Sequence, residues 1–269
     1  MRVAALQMVS STQVQANLDR VAQALAQAAD EGAELAVLPE YFCLLGQKDT
    51  DKLALAEPVG KGPLQDFLAD QARRHRIWLA GGTVPLVGEQ AGRVSNTTLV
   101  FDPLGRQAAR YDKIHLFRYT NDKESYDEAR TLQAGGQAAH FELPSRDGHR
   151  WRVGLSVCYD LRFPELFRQL RADLLLVPSA FTHTTGEAHW EVLLRARAIE
   201  NLAFVAAAAQ GGLHDNGRRT WGHSMLIDPW GQVLAVRPEG AGMVIADLDA
   251  SRLHERRRQL PALEHRVLP

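Results

Sequence analysis

Residues 34–42 read ELAVLPEYF, and residues 173–181 read DLLLVPSAF. Each segment consists of an acidic residue, four apolar residues, a proline, two variable positions and a phenylalanine. Four consecutive apolar residues that stop at a turn signal are typical of a short, fully buried strand. The repetition predicts two similar halves related by a pseudo-twofold axis, each a sheet with helices on its outer face. It places Glu40 and Ser179 at equivalent strand ends, both facing one central site.

The rest of the chain alternates between apolar stretches of strand length and helical periodicity, which favours a layered α/β fold. We predict strands over residues 3–8, 35–38, 77–80, 94–101, 106–111, 151–157, 174–177, 203–208, 225–227 and 233–236. We predict helices over residues 13–31, 63–75, 189–201 and 250–259, and one more that begins near Pro164. Because no stretch of linker composition interrupts this order, residues 1–269 are expected to form a single domain.

Charge and composition exclude several classes of partner. Lys and Arg total 31 against 32 for Asp and Glu, so no overall basic field attracts nucleic acid. No apolar run approaches the roughly 20 residues that span a membrane. The two cysteines, Cys43 and Cys158, form no CxxC pattern, and the ten histidines show no HxxxH or HExxH spacing. We therefore expect reduced thiols, a cytoplasmic protein, and neither a metal nor another cofactor.

A cysteine ends the apolar strand predicted over residues 151–157, in the stretch GLSVCYDLRFPE of residues 154–165. A polar turn and a helix start follow it. Backbone N–H groups converge at such a place, which suits a nucleophile whose oxyanion must be stabilised. A small apolar core residue is the alternative interpretation of Cys158, because free cysteine is commonly buried.

Two further residues could take part in the chemistry of this thiol. Glu40 follows a buried strand, where a desolvated carboxylate could act as a general base, although a loop carboxylate is the alternative. Lys113 lies among apolar and aromatic residues in RYDKIHLF, residues 110–117, an unusual setting for a solvated charge. An ammonium group next to a thiol could hydrogen-bond a developing oxyanion.

Taken together, LPEYF, YDKIHLF and VCYDLRFPELF resemble, in order and spacing, the Glu-Lys-Cys signature of the nitrilase superfamily of carbon–nitrogen hydrolases. The resemblance covers nearly the whole chain. It implies a four-layer α-β-β-α sandwich, and oligomers built on a dimer in which the sandwiches stack. It also implies that Cys158 is the nucleophile, Glu40 the general base and Lys113 the oxyanion-stabilising cation.

The resemblance implies further site residues. The family has a second glutamate after the lysine, which Glu128 matches, with Glu124 nearby as the alternative. The N–H of Tyr159 would complete the oxyanion hole. A cysteine–histidine pair is the competing mechanism, because His115, His183, His189 and His223 are available.

Two stretches of the sequence narrow the range of expected substrates. PSAFTHTTGEAHWEVLLRARAIEN, beginning at Pro178, and the run around Gln210 resemble the Nit branch of the family. This implies a small-molecule amide with an anionic acyl part, most consistent with deaminated glutathione; α-ketoglutaramate or succinamate, the substrates of omega-amidases, are the alternative. Such an acyl part needs a cation or several hydrogen bonds, for which the candidates are Tyr41, Thr182, Arg195 and Arg197. Ion pairing on the surface of the predicted helix is the alternative interpretation of the two arginines.

Other hypotheses remain open at this level. An acyltransferase or a non-catalytic binding protein could use the same fold. Asp160, Arg162 and Glu165 carry charges suited to an ion-pair cluster that shapes the turn after Cys158. The charged segment 118–130 has the composition of a lid over the site, or of an ordinary solvated loop.

Overall fold

The computed structural model describes residues 1–122 and 124–267. In chain order the strands are β1 (Arg2–Gln7), β2 (Leu35–Val37), β3 (Trp78–Ala80), β4 (Val84–Val87), β5 (Val94–Phe101), β6 (Gln107–Asp112), β7 (Arg118–Thr120), β8 (Ser125–Asp127), β9 (Leu132–Gln133), β10 (His140–Pro144), β11 (Arg150–Leu155), β12 (Leu174–Leu176), β13 (Phe204–Ala207), β14 (Gly211–Leu213), β15 (Arg219–Trp221), β16 (Ser224–Ile227), β17 (Val233–Arg237) and β18 (Gly242–Asp247). The helices are α1 (Val14–Asp30), α2 (Pro63–His75), α3 (Pro164–Leu170), α4 (His183–Asn201) and α5 (Ala250–Gln259), with short 3₁₀ turns at Asp51–Leu55, Glu128–Arg130 and Cys158–Arg162.

Two large sheets have the same internal topology. In the first, β1, β2 and β3 run parallel and β5 and β6 follow antiparallel. In the second, β11, β12 and β13 run parallel and β16 and β17 follow antiparallel. An antiparallel strand flanks each parallel set, β18 beside β1 and β10 beside β11. The predicted pair of similar halves is therefore confirmed for six strands of each sheet, while β4 and β9, which pair with β5, have no counterpart among the described strands of the second sheet.

The side-chain alternation of β1 shows how the layers form. Val3 and Ala5 enter the core between the two sheets, whereas Ala4 and Leu6 face the core shared with α1 and α2. Successive strand side chains point to opposite faces, so one apolar strand serves both cores. Helices α3 and α4 cover the outer face of the second sheet, for example through Trp190, which is fully buried. These layers confirm the expected α-β-β-α sandwich.

Helix α4 begins six residues earlier than the sequence predicts, at His183 rather than His189. Thr182 is its N-cap, and its hydroxyl accepts a hydrogen bond from the Thr185 N–H. The sequence THTTG resembles a loop because glycine disfavours helices. Gly186 is required here, since a Cβ atom at this position would lie 2.3 Å from the Trp221 Cβ.

The charged segment 118–130 forms the small hairpin β7–β8 and a 3₁₀ turn. Lys123 lies outside the described residues, and the role of this segment as a lid stays a prediction. Within the described residues, no helix combines the length and the apolar character needed to cross a membrane.

Candidate active site

Glu40 follows β2 and is buried, with 1% exposure. Its Oε1 accepts hydrogen bonds from Asn96 Nδ2 at 2.8 Å and from Lys113 Nζ at 3.0 Å, and its Oε2 accepts one from the Ala180 N–H at 2.9 Å. Ala180 follows β12, the counterpart of β2 in the other half. The carboxylate is thus held by donors from both halves, with its charge matched by a cation.

The backbone at Glu40 is held as firmly as its side chain. Tyr41 adopts a left-handed conformation with φ of 57°, and its N–H donates to Thr83 Oγ1 at 2.9 Å. The Gln210 side chain donates to the Glu40 carbonyl at 3.0 Å and to Ser10 Oγ at 2.7 Å. A strained residue held by several side chains is typical of a functional site.

Lys113 follows β6, is 1% exposed, and joins two carboxylates. Its Nζ lies 3.0 Å from Glu40 Oε1 and 2.9 and 2.8 Å from the two oxygens of Glu128. Burial lowers the pKa of Lys113, but Glu128 and Glu40 more than offset this effect, so its pKa lies well above the ordinary value. The ammonium group therefore stays charged.

Glu128 lies at the start of the 3₁₀ turn that follows β8. It accepts hydrogen bonds from the Phe117 N–H at 2.7 Å and from the Tyr41 hydroxyl at 3.1 Å. Although burial raises its pKa, the charge and hydrogen bonds of Lys113, the Phe117 N–H and the charge of Lys52 give a net lowering. Of the two candidate glutamates, the structure thus brings Glu128 onto Lys113, while Glu124 lies on the hairpin.

Cys158 stands at the first position of the 3₁₀ turn after β11, with φ of 50° and an exposure of 8%. Its N–H donates to the Pro178 carbonyl at 2.9 Å. Burial is the largest cause, and the Glu40 charge the second, of a thiol pKa well above the ordinary value. The resting thiol is therefore protonated and needs a base to become a nucleophile.

The backbone next to Cys158 limits which N–H can face an oxyanion. The Cys158 N–H is used by Pro178, and the Asp160 N–H donates to the Val157 carbonyl at 3.0 Å. Between them lies Tyr159, the residue whose N–H the family resemblance assigns to the oxyanion hole.

Asp160, which is fully buried, connects the Cys158 turn to the Lys113 segment. Its Oδ2 accepts hydrogen bonds from the Tyr111 hydroxyl at 2.7 Å and from the Val157 N–H at 2.8 Å. Its Oδ1 lies 3.0 Å from the His115 backbone nitrogen and 2.7 Å from His115 Nδ1. One carboxylate therefore fixes both the nucleophile turn and the residues that flank Lys113.

A cavity of about 360 Å³ opens at Cys158, and we call it the catalytic cavity. Glu40, Glu128, Tyr41, Tyr159 and Thr182 all line it, which places most of the predicted site residues around one space. Lys113 does not line the cavity but contacts it through Glu40 and Glu128. A cysteine, a base and a neighbouring lysine are the components of thiol-dependent acyl transfer.

Comparison with known proteins agrees with this geometry. The profile of the carbon–nitrogen hydrolase family matches residues 2–258. The chain belongs to this family. A deaminated glutathione amidase of Synechocystis is 43% identical over 269 residues, an alignment that covers 98% of this chain and 97% of that protein.

Two solved structures from the same comparison superimpose on nearly the whole chain. The NitFhit protein of Caenorhabditis elegans superimposes with a TM-score of 0.89 at 37% identity, covering 98% of this chain and 64% of that one. A branch 10 nitrilase-superfamily protein of Saccharomyces cerevisiae has a TM-score of 0.85 at 29% identity, covering 97% of this chain and 94% of that one.

Arg195 of this carbon–nitrogen hydrolase does not reach the catalytic cavity, contrary to the sequence prediction. Its guanidinium donates to the Gly231 carbonyl at 2.9 Å and lies 3.4 Å from Glu191 on the outer face of α4. Arg197 is buried and donates twice to the Leu161 carbonyl, which supports the turn after Cys158. Helical periodicity does not show which face of α4 turns toward the site.

Two other arginines of the hydrolase line the catalytic cavity, Arg162 and Arg218. Arg162 does not form the expected ion-pair cluster; it lies over the rings of Tyr159 and Phe181, 5.7 and 5.4 Å from their centroids. Asp160 is instead satisfied by Tyr111 and His115. The position of Arg162, four residues after the nucleophile, was the signal that could have identified it.

The histidines of the hydrolase occupy other roles. His115 stacks on Phe163 with centroids 3.6 Å apart, and the Nδ1 of His223 lies 3.0 Å from the Trp221 carbonyl. In the described chain, no histidine lines the catalytic cavity, and no cluster of three acidic, histidine or cysteine residues could hold a metal ion. The position of Glu40 favours the carboxylate as base over the cysteine–histidine alternative.

Proposed function

We propose that this carbon–nitrogen hydrolase is a thiol-dependent amidase that hydrolyses deaminated glutathione to α-ketoglutarate and Cys-Gly. The observation that carries the reaction type is the buried ion pair between Glu40 and Lys113 at the cavity that contains Cys158. The substrate is supported by the names of relatives that match over nearly their whole length, at 43% identity in Synechocystis and 39% in Yersinia enterocolitica.

The first half-reaction forms a thioester. Glu40 accepts the thiol proton as Cys158 Sγ attacks the amide carbon, and the oxyanion is stabilised by Lys113 and the Tyr159 N–H. When the tetrahedral intermediate collapses, the carbon–nitrogen bond breaks and Glu40 returns the proton to the amine of the leaving group. The α-ketoglutaryl group stays on Cys158.

The second half-reaction consumes water. Glu40 accepts a proton from water as the oxygen attacks the thioester carbon, and a second oxyanion occupies the same hole. Its collapse breaks the carbon–sulfur bond, the thiol recovers its proton, and the carboxylic acid leaves. Lys113 keeps its charge throughout, because the carboxylates of Glu128 and Glu40 hold its pKa well above the ordinary value.

The anionic acyl part needs a cation other than Lys113, whose charge two glutamates already match. We assign this role to Arg162, since it lines the catalytic cavity and, within the described part of the chain, forms no ion pair with a carboxylate. Thr182, which also lines the cavity, is the second group that we assign to the acyl part, whereas the Tyr41 hydroxyl already donates to Glu128.

The test measures α-ketoglutarate release from deaminated glutathione and from α-ketoglutaramate, with Cys158→Ala as the control. The two substrates share an acyl part, so the ratio of kcat/KM reports discrimination at the leaving group. Preference for deaminated glutathione supports the proposal, and preference for α-ketoglutaramate makes the protein an omega-amidase. Failure with both substrates refutes the substrate assignment.

Hydroxylamine separates hydrolysis from acyl transfer, because it competes with water for the thioester. Hydrolysis predicts that α-ketoglutarate remains the main product at low hydroxylamine concentration. A hydroxamate that dominates under those conditions would instead show that the protein is an acyltransferase.

We also propose that the protein acts as a homodimer or higher homo-oligomer. Val192 and Ile199 lie seven residues apart on α4 and are 70% and 48% exposed, and Trp230 nearby is 49% exposed. Apolar side chains exposed together on one helix favour self-association. Light scattering on the purified protein tests this, and a monomer at micromolar concentration would contradict it.

A cytoplasmic location completes the proposal. Both cysteines are free and buried, as expected for a reducing compartment. Cell fractionation tests it, and recovery of the protein outside the cytoplasm would contradict it.

The core between the sheets, to which both halves contribute, supports the proposal that the chain forms a single domain.

A further inference from the structure

A second cavity, of about 520 Å³, adjoins the catalytic cavity, and we call it the outer pocket. The two spaces share Tyr41, Phe117, Glu128 and Arg218 in their walls. The outer pocket is otherwise built by the segment 44–52 and by β8, and Cys158 does not line it. A molecule attached to Cys158 in the catalytic cavity can therefore extend into the outer pocket past Tyr41.

Lys52 supplies one positive charge to the outer pocket. Its Nζ donates to Thr131 Oγ1 at 3.3 Å and lies 5.3 Å from the centroid of the Tyr41 ring. Within the described residues, no carboxylate lies within ion-pair distance of this ammonium. Burial lowers the pKa of Lys52 below its ordinary value, and the charges of Glu128 and Asp49 offset this effect only in part.

Arg218 supplies a second positive charge. Its guanidinium lies 5.2 Å from the centroid of the Tyr126 ring, and in the described structure it forms no ion pair with a carboxylate. A guanidinium matches the geometry of a carboxylate and can bind it through two parallel hydrogen bonds.

Within the described residues, the acidic residues of the outer pocket form no direct ion pair with these two cations. Both oxygens of Glu128 bind Lys113, and Asp127 accepts a hydrogen bond from the Ala129 N–H as the cap of its 3₁₀ turn. Asp49 is exposed to solvent beside the equally exposed Lys48. In the described structure, Lys52 and Arg218 therefore lie outside any ion pair, although three carboxylates also line the outer pocket.

We propose that the outer pocket is the leaving-group site, which binds a peptide-like amine through its C-terminal carboxylate. Lys52 and Arg218 bind the carboxylate, and the rings of Phe117 and Tyr126 contact the rest of the leaving group. This proposal rests on the proposed function. The acyl part stays on Cys158 beside Arg162 in the catalytic cavity, which leaves the outer pocket for the departing half of the substrate.

The test compares Lys52→Met with a matched control, Lys61→Met, at an exposed lysine that lines neither cavity. Methionine keeps the length and apolar stem of lysine without its charge. For the Lys52 variant, the ratio of kcat/KM for deaminated glutathione to that for α-ketoglutaramate should fall about 10- to 100-fold, as expected when one charged hydrogen bond to the substrate is lost. The Lys61 variant should keep the wild-type ratio.

A second arm changes the substrate and so does not depend on how any variant folds. Deaminated glutathione with an amidated glycine carboxylate should be a poorer substrate of the wild-type protein by a similar factor. Lys52→Met should lose little more with this substrate, because the interaction is already absent.

The outcomes separate the two proposals. If the wild-type protein hydrolyses deaminated glutathione but the ratio is unchanged in Lys52→Met, or the amidated substrate is equally good, only the leaving-group site is refuted. An equal loss with both substrates would likewise refute it, since Lys52 would then act on the chemistry through Glu128. If the wild-type protein hydrolyses neither substrate, the proposed function fails and the leaving-group site fails with it.

Discussion

Replacing Glu40 by glutamine tests the role of this carboxylate most directly. The substitution keeps the shape of the side chain and removes its charge and basicity. Glu40 accepts hydrogen bonds from Asn96, Lys113 and the Ala180 N–H. Whichever way the new amide is oriented, its NH₂ group faces a donor. We expect a loss of about 1–3 kcal/mol in the free energy of unfolding, because one buried donor is left without an acceptor.

The kinetic effect should be much larger than the loss of stability. A thiol with an ordinary pKa of about 8.5 is ionised to about 3% at neutral pH, and the raised pKa of Cys158 lowers this fraction further. Without Glu40 the thiol proton has no acceptor during attack, and the leaving amine has no donor. We expect kcat/KM to fall about 10²- to 10⁴-fold, the usual effect of general acid–base catalysis.

The Glu40→Gln variant should also lower the pKa of the Cys158 thiol. Burial is the largest cause of the raised pKa of Cys158 and remains, but the second cause, the Glu40 charge, is removed. The pKa of Cys158 should therefore fall while turnover falls. The ultraviolet absorbance of the thiolate, titrated against pH, and the release of α-ketoglutarate measure these two effects separately.

Glu57→Gln is the matched control. Glu57 is another buried carboxylate with several donors, since it accepts from the N–H groups of Leu64 and Gln65 at the start of α2. Its replacement should reduce the melting temperature to a similar degree, about 2–4 °C for each kcal/mol, without the kinetic defect. If Glu40→Gln kept kcat/KM within about tenfold of the wild type, or if the Cys158 pKa rose, Glu40 would not be the general base.

Three further predictions concern other parts of the structure. Cys158→Ala should abolish turnover and leave the melting temperature nearly unchanged. A small alkylating reagent should label Cys158 before Cys43, because Cys158 lines the catalytic cavity and Cys43 does not; mass spectrometry would show the opposite order if Cys158 were only a core residue. Asp160→Asn should lower kcat more than it raises KM, because the carboxylate positions the Cys158 turn and the Lys113 segment without touching substrate. Tyr111→Phe removes one of the four hydrogen bonds to the Asp160 carboxylate and should have a smaller effect. A change in KM alone would exclude a positioning role. Burial raises the pKa of Asp102, but hydrogen bonds from Arg106 and Leu104 lower it by more, so its folded-state pKa lies below the ordinary 3.8. Its contribution to stability is therefore complete above that pH and is lost as the pH falls below it. In chemical denaturation, the difference in unfolding free energy between the wild type and Asp102→Asn should narrow accordingly.

Local sequence patterns were sufficient to predict the sheet strands that carry the site. The short apolar stretch before Glu40 and the apolar stretch before Cys158 each end in a turn, so the chemistry-bearing residues could be placed at strand ends without knowledge of tertiary structure. The family signature then joined Glu40, Lys113 and Cys158 into one arrangement. These three lie around one site in the structure.

The supporting residues could not be predicted in the same way. Asn96 lies within β5 and Gln210 in the loop after β13, and neither occurs in a pattern that distinguishes it from an ordinary buried amide. Their roles arise from the close approach of Glu40 in three dimensions. Arg195 was wrongly placed for the same reason: the packing of α4 on the second sheet, and not its periodicity, directs both of its arginines to partners outside the catalytic cavity.

The hydrogen bond from the Ala180 N–H to Glu40 has a consequence for how the protein becomes active. Residues 40 and 180 belong to different halves of the chain, 140 positions apart. Before the halves dock, the carboxylate has neither this donor nor its full burial, so neither half can assemble a working centre alone. During refolding, secondary structure should therefore return before activity does. The appearance of turnover would time the closure of the two halves more directly than any spectroscopic signal of helix or sheet.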